Sequence, residues 1–215
     1  MLRAAVGGAF AKSNDEQLVV RALDGLTFAF HEGDRVGVLG HNGSGKTTLL
    51  RVIAGAYEPV SGNLSVEGNV TSMLSITLGI DYEATGAENV FLLGAVMGQS
   101  RRQMRERLDD ITEFADLGDF MQIPLRAYSA GMIMRLAFAV ATSTPADIVL
   151  MDEWLSVGDQ AFEVKARARL KSVLTGAKIL FLASHNEELV RNNCNWILRL
   201  DHGKMISLEP VTGIL

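Results

Sequence analysis

The sequence predicts an α/β fold with a mostly parallel sheet, and three short apolar segments are the first reason. Residues 36–39, 148–151 and 179–183 each have the length and apolar character of a buried strand. Each is followed at once by residues with chemical function: glycines, a carboxylate pair, or a serine and a histidine. Because ligands of parallel α/β sheets collect at the carboxyl ends of the strands, this pattern predicts one sheet edge that carries a functional site.

A glycine-rich segment follows the first apolar strand and precedes a helical pattern that runs to Ile53. Gly40-x4-Gly45-Lys46-Thr47 matches the phosphate-binding pattern G-x-x-x-x-G-K-[ST] at every fixed position. Glycines let successive backbone N–H groups turn toward phosphate oxygens, and the following helix adds its positive end. We therefore expect Lys46 to contact the terminal phosphates of a nucleotide, and the Thr47 hydroxyl to bind magnesium.

Asp152 and Glu153 follow the second apolar segment directly. Two adjacent carboxylates at the end of a buried strand are costly unless they are used or solvated. We expect Asp152 to hold magnesium, directly or through water, and Glu153 to polarise an attacking water as a general base. His185 follows the third apolar segment in the same way and could contact a γ-phosphate. A solvated acidic pair and a surface histidine are the simpler alternatives.

The segment YSAGMIMRLAFAVAT, residues 128–142, predicts a helix that begins after Ser129. One apolar face is expected from Ile133, Leu136, Ala137 and Val140. Ser129 and Gly131 at this helix N-terminus form a second possible anion site. An ordinary capped helix is the plain alternative, since one chain rarely needs two such sites.

The chain between Ser75 and Thr144 has mostly helical patterns. Thr85 with Glu88, and Ser100 with Gln103, are spaced as capping boxes. The second of these helices has an amphipathic stripe that consists of Met104, Leu108, Ile111 and Ala115. This stripe predicts a buried face and no ligand site.

Strand-like patterns occur outside this helical region. The segment LVVRALDGLTFAF, residues 18–30, alternates well enough to predict strands. The segment NWILRLDHGKMIS, residues 195–207, predicts a hairpin around Gly203.

Composition excludes several classes of protein. The 215 residues are 48% hydrophobic with a net charge of −5, an acidic balance that argues against non-specific nucleic-acid binding. A single cysteine, Cys194, excludes an intramolecular disulfide, and the four histidines show no metal-ligand spacing with it. No apolar segment reaches the roughly 20 residues of a membrane span, and the N-terminal MLRAAVGGAFAKS is a poor export signal. We therefore expect a cytoplasmic protein without direct membrane insertion.

The chain resembles the ATP-binding subunits of ABC transporters. The resemblance rests on five features in this order along the chain: the phosphate-binding loop (P-loop) at 40–48, YSAGM at 128–132, IVLMDE at 148–153, SVGD at 156–159 and His185. The resemblance covers nearly all of the chain. It implies a P-loop NTPase, ABC-type nucleotide-binding domain with an antiparallel β edge and an inserted helical subdomain. The implied division is residues 1–74 and 145–215 for the two parts of the ATPase core, and 75–144 for the helical subdomain.

The resemblance also implies the ligands and the assembly. ATP and Mg²⁺ would bind, and ATP would lie between the P-loop of one copy and Ser129 and Gly131 of a second copy. Asp159 would be a dimer contact. Glu153 and His185 are the implied catalytic residues, and Thr47 and Asp152 the implied metal ligands. The implied nucleotide-binding residues of the P-loop are Gly40, Asn42, Gly43, Ser44, Gly45, Lys46, Thr47 and Thr48.

Departures from the usual signature L-S-G-G-Q narrow the resemblance to one branch. Tyr128, Ala130 and Met132 differ from that sequence. The pattern Y-S-[AS]-G-M, together with DEWLSVGD, resembles the sequences of exporters of capsule polysaccharide, O-antigen or teichoic acid. This branch implies an ATPase on the cytoplasmic face of the bacterial inner membrane. Its cycle would power polysaccharide export through a separate membrane-spanning permease.

Two family features are missing. The aromatic residue that usually stacks on adenine is absent from NDEQLVVRA, which leaves Phe10 as a distant candidate. The usual coupling glutamine has no counterpart in SMLSITLGIDY, where Ser75 and Thr77 are the nearest substitutes.

Other functions remain open from the residues. An ABC importer subunit and a soluble, non-transport ABC ATPase share the main motifs. A small-molecule kinase would also use the P-loop, but it leaves YSAGM and the pair Glu153 and His185 unexplained.

Overall fold

The computed structural model describes residues 9–12, 18–153 and 160–211. The chain divides into two compact units. Of the described residues, the first unit contains 9–12, 18–70, 148–153 and 178–211, and the second contains 71–147 and 160–177.

The first unit is built around a parallel sheet. Its elements are β1 (Ala9–Lys12), β2 (Leu18–Arg21), β3 (Arg35–Leu39), α1 (Lys46–Ile53), β5 (Ile148–Asp152), β6 (Ile179–Ser184), α6 (Glu187–Asn193), β7 (Trp196–Asp201) and β8 (Lys204–Pro210). A further strand, β4 (Val70–Ser72), begins at residue 70, where the first long segment of the unit ends. The sheet has the order β4-β5-β6-β3-β7-β8.

The central strands are parallel, and the β8 edge is antiparallel. β3 pairs in parallel with β6 and β7, and β5 pairs in parallel with β6. β8 pairs antiparallel with β7, and β1 and β2 form a separate antiparallel pair. Consecutive residues of β3, β5 and β6 are buried, which is the burial pattern of parallel strands. The predicted α/β class with a mostly parallel sheet is confirmed.

The predicted strand across residues 22–30 is wrong. Strand structure in this segment ends at Arg21, although side-chain burial alternates from Leu26 to Phe30. The Phe30 ring packs on the rings of Phe181 and Trp196, with centroid distances of 5.4 and 6.4 Å. The alternation therefore reflects aromatic packing on the sheet, and it does not reflect a backbone ladder.

The second unit is helical. Its helices are α2 (Gly86–Val96), α3 (Arg101–Ala115), α4 (Ala130–Ala141) and α5 (Gln160–Gly176), with short 3-10 turns at Gly118–Gln122 and Leu125–Ala127. Both predicted capping boxes are confirmed: Thr85 and Glu88 bond reciprocally at the start of α2, as do Ser100 and Gln103 at the start of α3.

Three residues of the apolar face predicted for α4, Leu136, Ala137 and Val140, are buried, and burial extends around the whole second half of the helix. Every residue from Leu136 to Ala141 is buried, whereas Ile133 is only half-buried. Helices that are apolar all round are buried on all sides, and the run of alanines around Phe138 allows neighbouring elements to approach. The phenyl rings of Phe114, Phe138 and Phe162 join α3, α4 and α5, with centroid distances of 5.5 to 6.3 Å.

We predict that Phe138→Ala lowers the free energy of unfolding by about 3–5 kcal/mol, because it removes a fully buried ring at the centre of this cluster. Val164→Ala is the matched control, since Val164 lies in α5 of the same unit and its side chain is largely exposed. Urea unfolding followed by circular dichroism measures both. Equal losses in the two variants would contradict the packing described for α4.

A second prediction concerns the acid side of the stability curve. The carboxylate of Glu187 accepts hydrogen bonds from Arg199 and Arg191, and these lower the pKa of Glu187 from 4.5 to about 2. A lowered folded-state pKa favours folding above pH 4.5, and this contribution is lost as the pH falls from 4.5 toward 2. Glu187→Gln should therefore be less stable than the wild type near neutral pH, and its thermal midpoint should fall less steeply over this acid range.

Glu188→Gln is the control, because Glu188 is the exposed neighbour in the same helix turn. The same acid slope in Glu187→Gln and in the wild type would show that the arginine contacts do not set the titration of Glu187.

Candidate functional site

Two positions in the glycine-rich loop between β3 and α1 accommodate only glycine. Gly45, which precedes α1, has a φ of 108°, and a Cβ there would lie 2.7 Å from the carbonyl oxygen of Ala22. A Cβ at Gly40 would overlap the Ser44 side chain and approach the Leu200 carbonyl oxygen at 2.5 Å. The loop is therefore packed closely against the rest of the unit, and its sequence pattern follows from that packing.

Lys46 is the first residue of α1 and its side chain is buried, with 8% of the residue exposed. Its Nζ donates to the carbonyl oxygens of Gly40, at 2.7 Å, and of His41, at 3.0 Å. These two bonds use two of the three hydrogens of the ammonium group. Carbonyl dipoles are the contacts described for this buried cation, and they do not neutralise its charge. The Lys46 ammonium group is therefore suited to bind an anion.

Ser44 supplies a further donor in the loop. Its hydroxyl is buried and has no hydrogen-bond partner within the described part of the chain. A buried hydroxyl without a partner is uncommon in a native structure, because it carries an uncompensated desolvation cost. A hydroxyl without a partner in the same loop that the Lys46 ammonium group contacts fits a ligand rich in oxygen acceptors, such as a phosphate.

Thr47 and Asp152 meet where α1 begins and β5 ends. The Thr47 hydroxyl donates to Oδ2 of Asp152, the last residue of β5. A hydroxyl and a carboxylate are the hard oxygen ligands that magnesium prefers, so the two residues present fit that ion.

Glu153 and His185 form a second polar pair at the same edge of the sheet. The register of β5 and β6 places Asp152 opposite Ala183, and the Glu153 N–H donates to the Ala183 carbonyl oxygen at 2.8 Å. Oε1 of Glu153 lies 2.5 Å from Nδ1 of His185, and both side chains are more than half exposed. Glu153 has a φ of 63°, a conformation that is unfavourable for this residue type and that clusters at functional sites.

The structure thus brings five predicted site residues to one sheet edge of the first unit: Lys46, Thr47, Asp152, Glu153 and His185. The remaining predicted P-loop residues lie in the same loop or at the start of α1. Asn42 and Gly43 are exposed in the loop, and Thr48 is half-buried in α1.

Ser129 begins α4 in the second unit. Its hydroxyl accepts the Met132 N–H at 3.3 Å, so it is the N-cap that the sequence predicts. Ser129 itself is exposed, and a Cβ on Gly131 would meet no atom closer than the Ser129 hydroxyl at 3.8 Å. The start of α4 is therefore open to an approaching group.

Tyr128, which departs from the usual signature, fixes the start of α4. It is buried, its hydroxyl donates to the Phe120 carbonyl oxygen at 2.6 Å, and burial raises the pKa of the phenol.

Four other candidate residues named in the sequence analysis belong to the second unit or have side chains outside the described residues. Asp159 and the Phe10 side chain lie outside the described residues. Ser75 and Thr77, the substitutes for the coupling glutamine, are exposed in the second unit. None of the helices described is long and apolar enough to span a bilayer.

Sequence reasoning missed a cluster beside the P-loop. His41, Asp201 and His202 place their side-chain ligand atoms within 4.8 Å of one another. His41 and Asp201 are 160 residues apart, so no local spacing in the sequence could have indicated the cluster.

Comparison with known proteins gives consistent matches. Residues 23–156 match the family model described as ABC transporter. The chain is 42% identical over 203 residues to the O-antigen export system ATP-binding protein RfbE of Yersinia enterocolitica, covering 94% of this chain and 85% of that protein. It is 38% identical over 194 residues to the teichoic acids export ATP-binding protein TagH of Staphylococcus epidermidis, covering 90% and 73%.

A solved structure extends the match to the fold. The ATP-binding cassette MJ0796, in a dimeric post-hydrolysis state bound to ADP and Pi, is similar with a TM-score of 0.70 and 22% identity over 97% of both chains. At this identity the similarity supports the fold.

We predict that Lys46→Ala weakens ATP binding by about ten-fold to a hundred-fold, because it removes a charge-assisted contact of roughly 1.5–3 kcal/mol. Lys171→Ala is the charge-matched control, since Lys171 is exposed on α5 in the other unit. Titration of a fluorescent ATP analogue with magnesium measures both affinities. Unchanged affinity in Lys46→Ala would contradict the P-loop assignment.

Proposed function

Because this chain belongs to the ABC transporter ATP-binding family, we propose that its ATPase cycle powers export of a bacterial cell-surface polysaccharide through a separate membrane-spanning permease. ATP binding and ATP hydrolysis are the activities of this family. The observation that carries the ATPase part of the proposal is the sheet edge where Lys46, Thr47, Asp152, Glu153 and His185 converge.

The proposed cargo rests on the relatives. RfbE is named for O-antigen export and TagH for teichoic acid export, and both are polymers of the bacterial surface. The signature Tyr128-Ser129-Ala130-Gly131-Met132 has the sequence expected of exporters of such polymers. We therefore place the chain with exporters of O-antigen or capsule type, on the cytoplasmic face of the inner membrane and without direct insertion into it.

The P-loop residues would bind the nucleotide. Lys46 would exchange its carbonyl contacts for the terminal phosphates, and the Ser44 hydroxyl and loop N–H groups would add donors. Thr47 and Asp152 would hold Mg²⁺, which would supply positive charge to neutralise the phosphates. Gly40, Asn42, Gly43, Gly45 and Thr48 complete the proposed nucleotide-binding residues.

Glu153 is the proposed general base. Its carboxylate is exposed, so an attacking water can reach it and transfer a proton to it. The contact with Nδ1 of His185 holds the carboxylate in one orientation, and Nδ1 carries the hydrogen when Glu153 is ionised. The left-handed backbone at Glu153 fixes the direction in which its side chain leaves β5.

A second copy of the chain is proposed to complete the site. The exposed Ser129 hydroxyl and the N-terminus of α4, with Gly131, offer donors for phosphate oxygens. In this proposal ATP binds between the P-loop of one copy and Ser129 of the other, and Asp159 contacts the partner. ATP then favours the closed dimer because it gains contacts that only the closed state offers.

We predict that Glu153→Gln lowers ATP turnover by about 10²–10⁴-fold and accumulates as a dimer with ATP and magnesium. An amide keeps the side chain's shape but does not accept the proton from water. Size-exclusion chromatography with and without ATP, together with phosphate release, measures both effects. Glu67→Gln is the control, because Glu67 is exposed in the first unit. Normal turnover in Glu153→Gln would exclude Glu153 as the general base.

The export function is tested in the host bacterium. Deletion of this chain should remove the polymer from the cell surface and retain it inside the cell, and wild type but not Glu153→Gln should restore it. Quantifying surface and internal polysaccharide distinguishes the alternatives, because loss of an importer subunit or a soluble ATPase would leave the surface polymer in place.

A further inference from the structure

A histidine and carboxylate cluster lies beside the P-loop, and the proposed ATPase mechanism does not use it. Nε2 of His41 is 2.9 Å from Oδ1 of Asp201, and Nδ1 of His202 is 2.7 Å from the same oxygen. The two imidazole rings are 4.9 Å apart between centroids. Each of the three side chains is about half exposed.

The hydrogen bonds of His41 do not suit a neutral ring. Its Nδ1 lies 2.8 Å from the carbonyl oxygen of Asn42, while its Nε2 faces the Asp201 carboxylate. A neutral imidazole carries one N–H, so one of these two contacts would place a lone pair against a lone pair. A metal ion removes the conflict: Nδ1–H donates to the carbonyl, and Nε2 and the carboxylate both bind the ion.

This is the arrangement usual for metal-bound histidine. A ligating histidine donates its other N–H to a carbonyl or carboxylate, and that contact fixes its tautomer and its orientation. In His41 the Asn42 carbonyl oxygen serves this purpose.

The backbone holds the ligands in place independently of any ion. The Gly203 N–H donates to the Ser44 carbonyl oxygen at 2.9 Å, which joins the turn between β7 and β8 to the P-loop. His202 has a φ of 46°, a left-handed conformation at that turn, so the turn directs its ring toward Asp201.

We propose that His41, Asp201 and His202 form a binding site for a divalent transition-metal ion of the zinc class. Two imidazoles and a carboxylate suit zinc better than magnesium or calcium, which prefer oxygen ligands. The ligand atoms of a tetrahedral zinc site are roughly 3.3 Å apart, from bond lengths of about 2.0–2.1 Å. The ligand atoms of the three half-exposed side chains lie within 4.8 Å of one another, near that spacing, and water can supply the fourth ligand.

The bound ion would link the first residues of the P-loop to the β7–β8 turn. His41 also supplies one of the two carbonyl oxygens that hold Lys46. Occupancy of this site therefore acts on the loop that positions the lysine, while Thr47 and Asp152 remain available for magnesium.

The test is a calorimetric titration of the EDTA-treated, nucleotide-free protein with zinc chloride at pH 7.5. The wild type should bind one ion at this site and gain thermal stability with added zinc, since a ligand that binds only the folded state raises Tm. His202→Asn and Asp201→Asn should each weaken this binding at least ten-fold and abolish the shift. Asparagine tolerates the left-handed backbone at residue 202, so the turn is preserved.

Two histidine variants serve as controls. His31→Asn removes an exposed histidine from another loop and should bind zinc as the wild type does. His185→Asn removes the histidine beside Glu153, the competing place for an ion, and should also retain binding. Loss of binding in His185→Asn with retention in both His202→Asn and Asp201→Asn would overturn the proposal.

Absence of zinc binding to the wild type would also overturn it. Because the titration contains no nucleotide, its result does not depend on the proposed export function.

Discussion

The parallel pairing of β3, β5 and β6 is the constraint on which the functional site depends. In this register Leu39 lies opposite Ser184, and Asp152 lies opposite Ala183. The three strands therefore end at the same edge, where the chain continues into the P-loop, Glu153 and His185. Parallel strands also leave their helix connections room to begin at that edge, so the positive N-terminus of α1 lies beside the carboxylate of Asp152. A slip of one residue in either register would separate groups that now touch.

Close backbone packing imposes the second constraint. The P-loop reaches its conformation because Gly45 takes a positive φ and because neither Gly40 nor Gly45 carries a Cβ that would meet a carbonyl oxygen. Glu153 takes a positive φ without the freedom of glycine, a cost of order 1–3 kcal/mol that the surrounding structure must offset. Its N–H bond to Ala183 and its side-chain contact with His185 are the described interactions that hold it there. These contacts hold the P-loop and Glu153 in the conformations described.

Local patterns were predictable from the sequence, and distant pairings were not. The capping boxes depend on residues three apart, and the buried strands on apolar segments of four or five residues, so both predictions are confirmed. The P-loop pattern is local too, and it places Lys46 and Thr47 correctly at the start of α1. The strand prediction for residues 22–30 was wrong because side chains that pack on a sheet alternate between buried and exposed, just as the side chains of a strand do. The cluster of His41, Asp201 and His202 unites positions 160 residues apart, and only strand order brings them together.

The exposure of Glu153 and His185 bears on how the site must work. Both side chains are more than half exposed in a single copy of the chain, so bulk water reaches the groups proposed to carry the chemistry. Electrostatic stabilisation of a charged transition state is much weaker in such a high-dielectric environment than in a site from which water is excluded. A productive state therefore needs a second surface to cover the edge of the sheet. The exposed N-terminus of α4, with Ser129, has the donors for phosphate that such a surface requires. This physical need supports the proposed ATP-dependent dimer independently of the family resemblance, because it arises from the exposure of the pair itself.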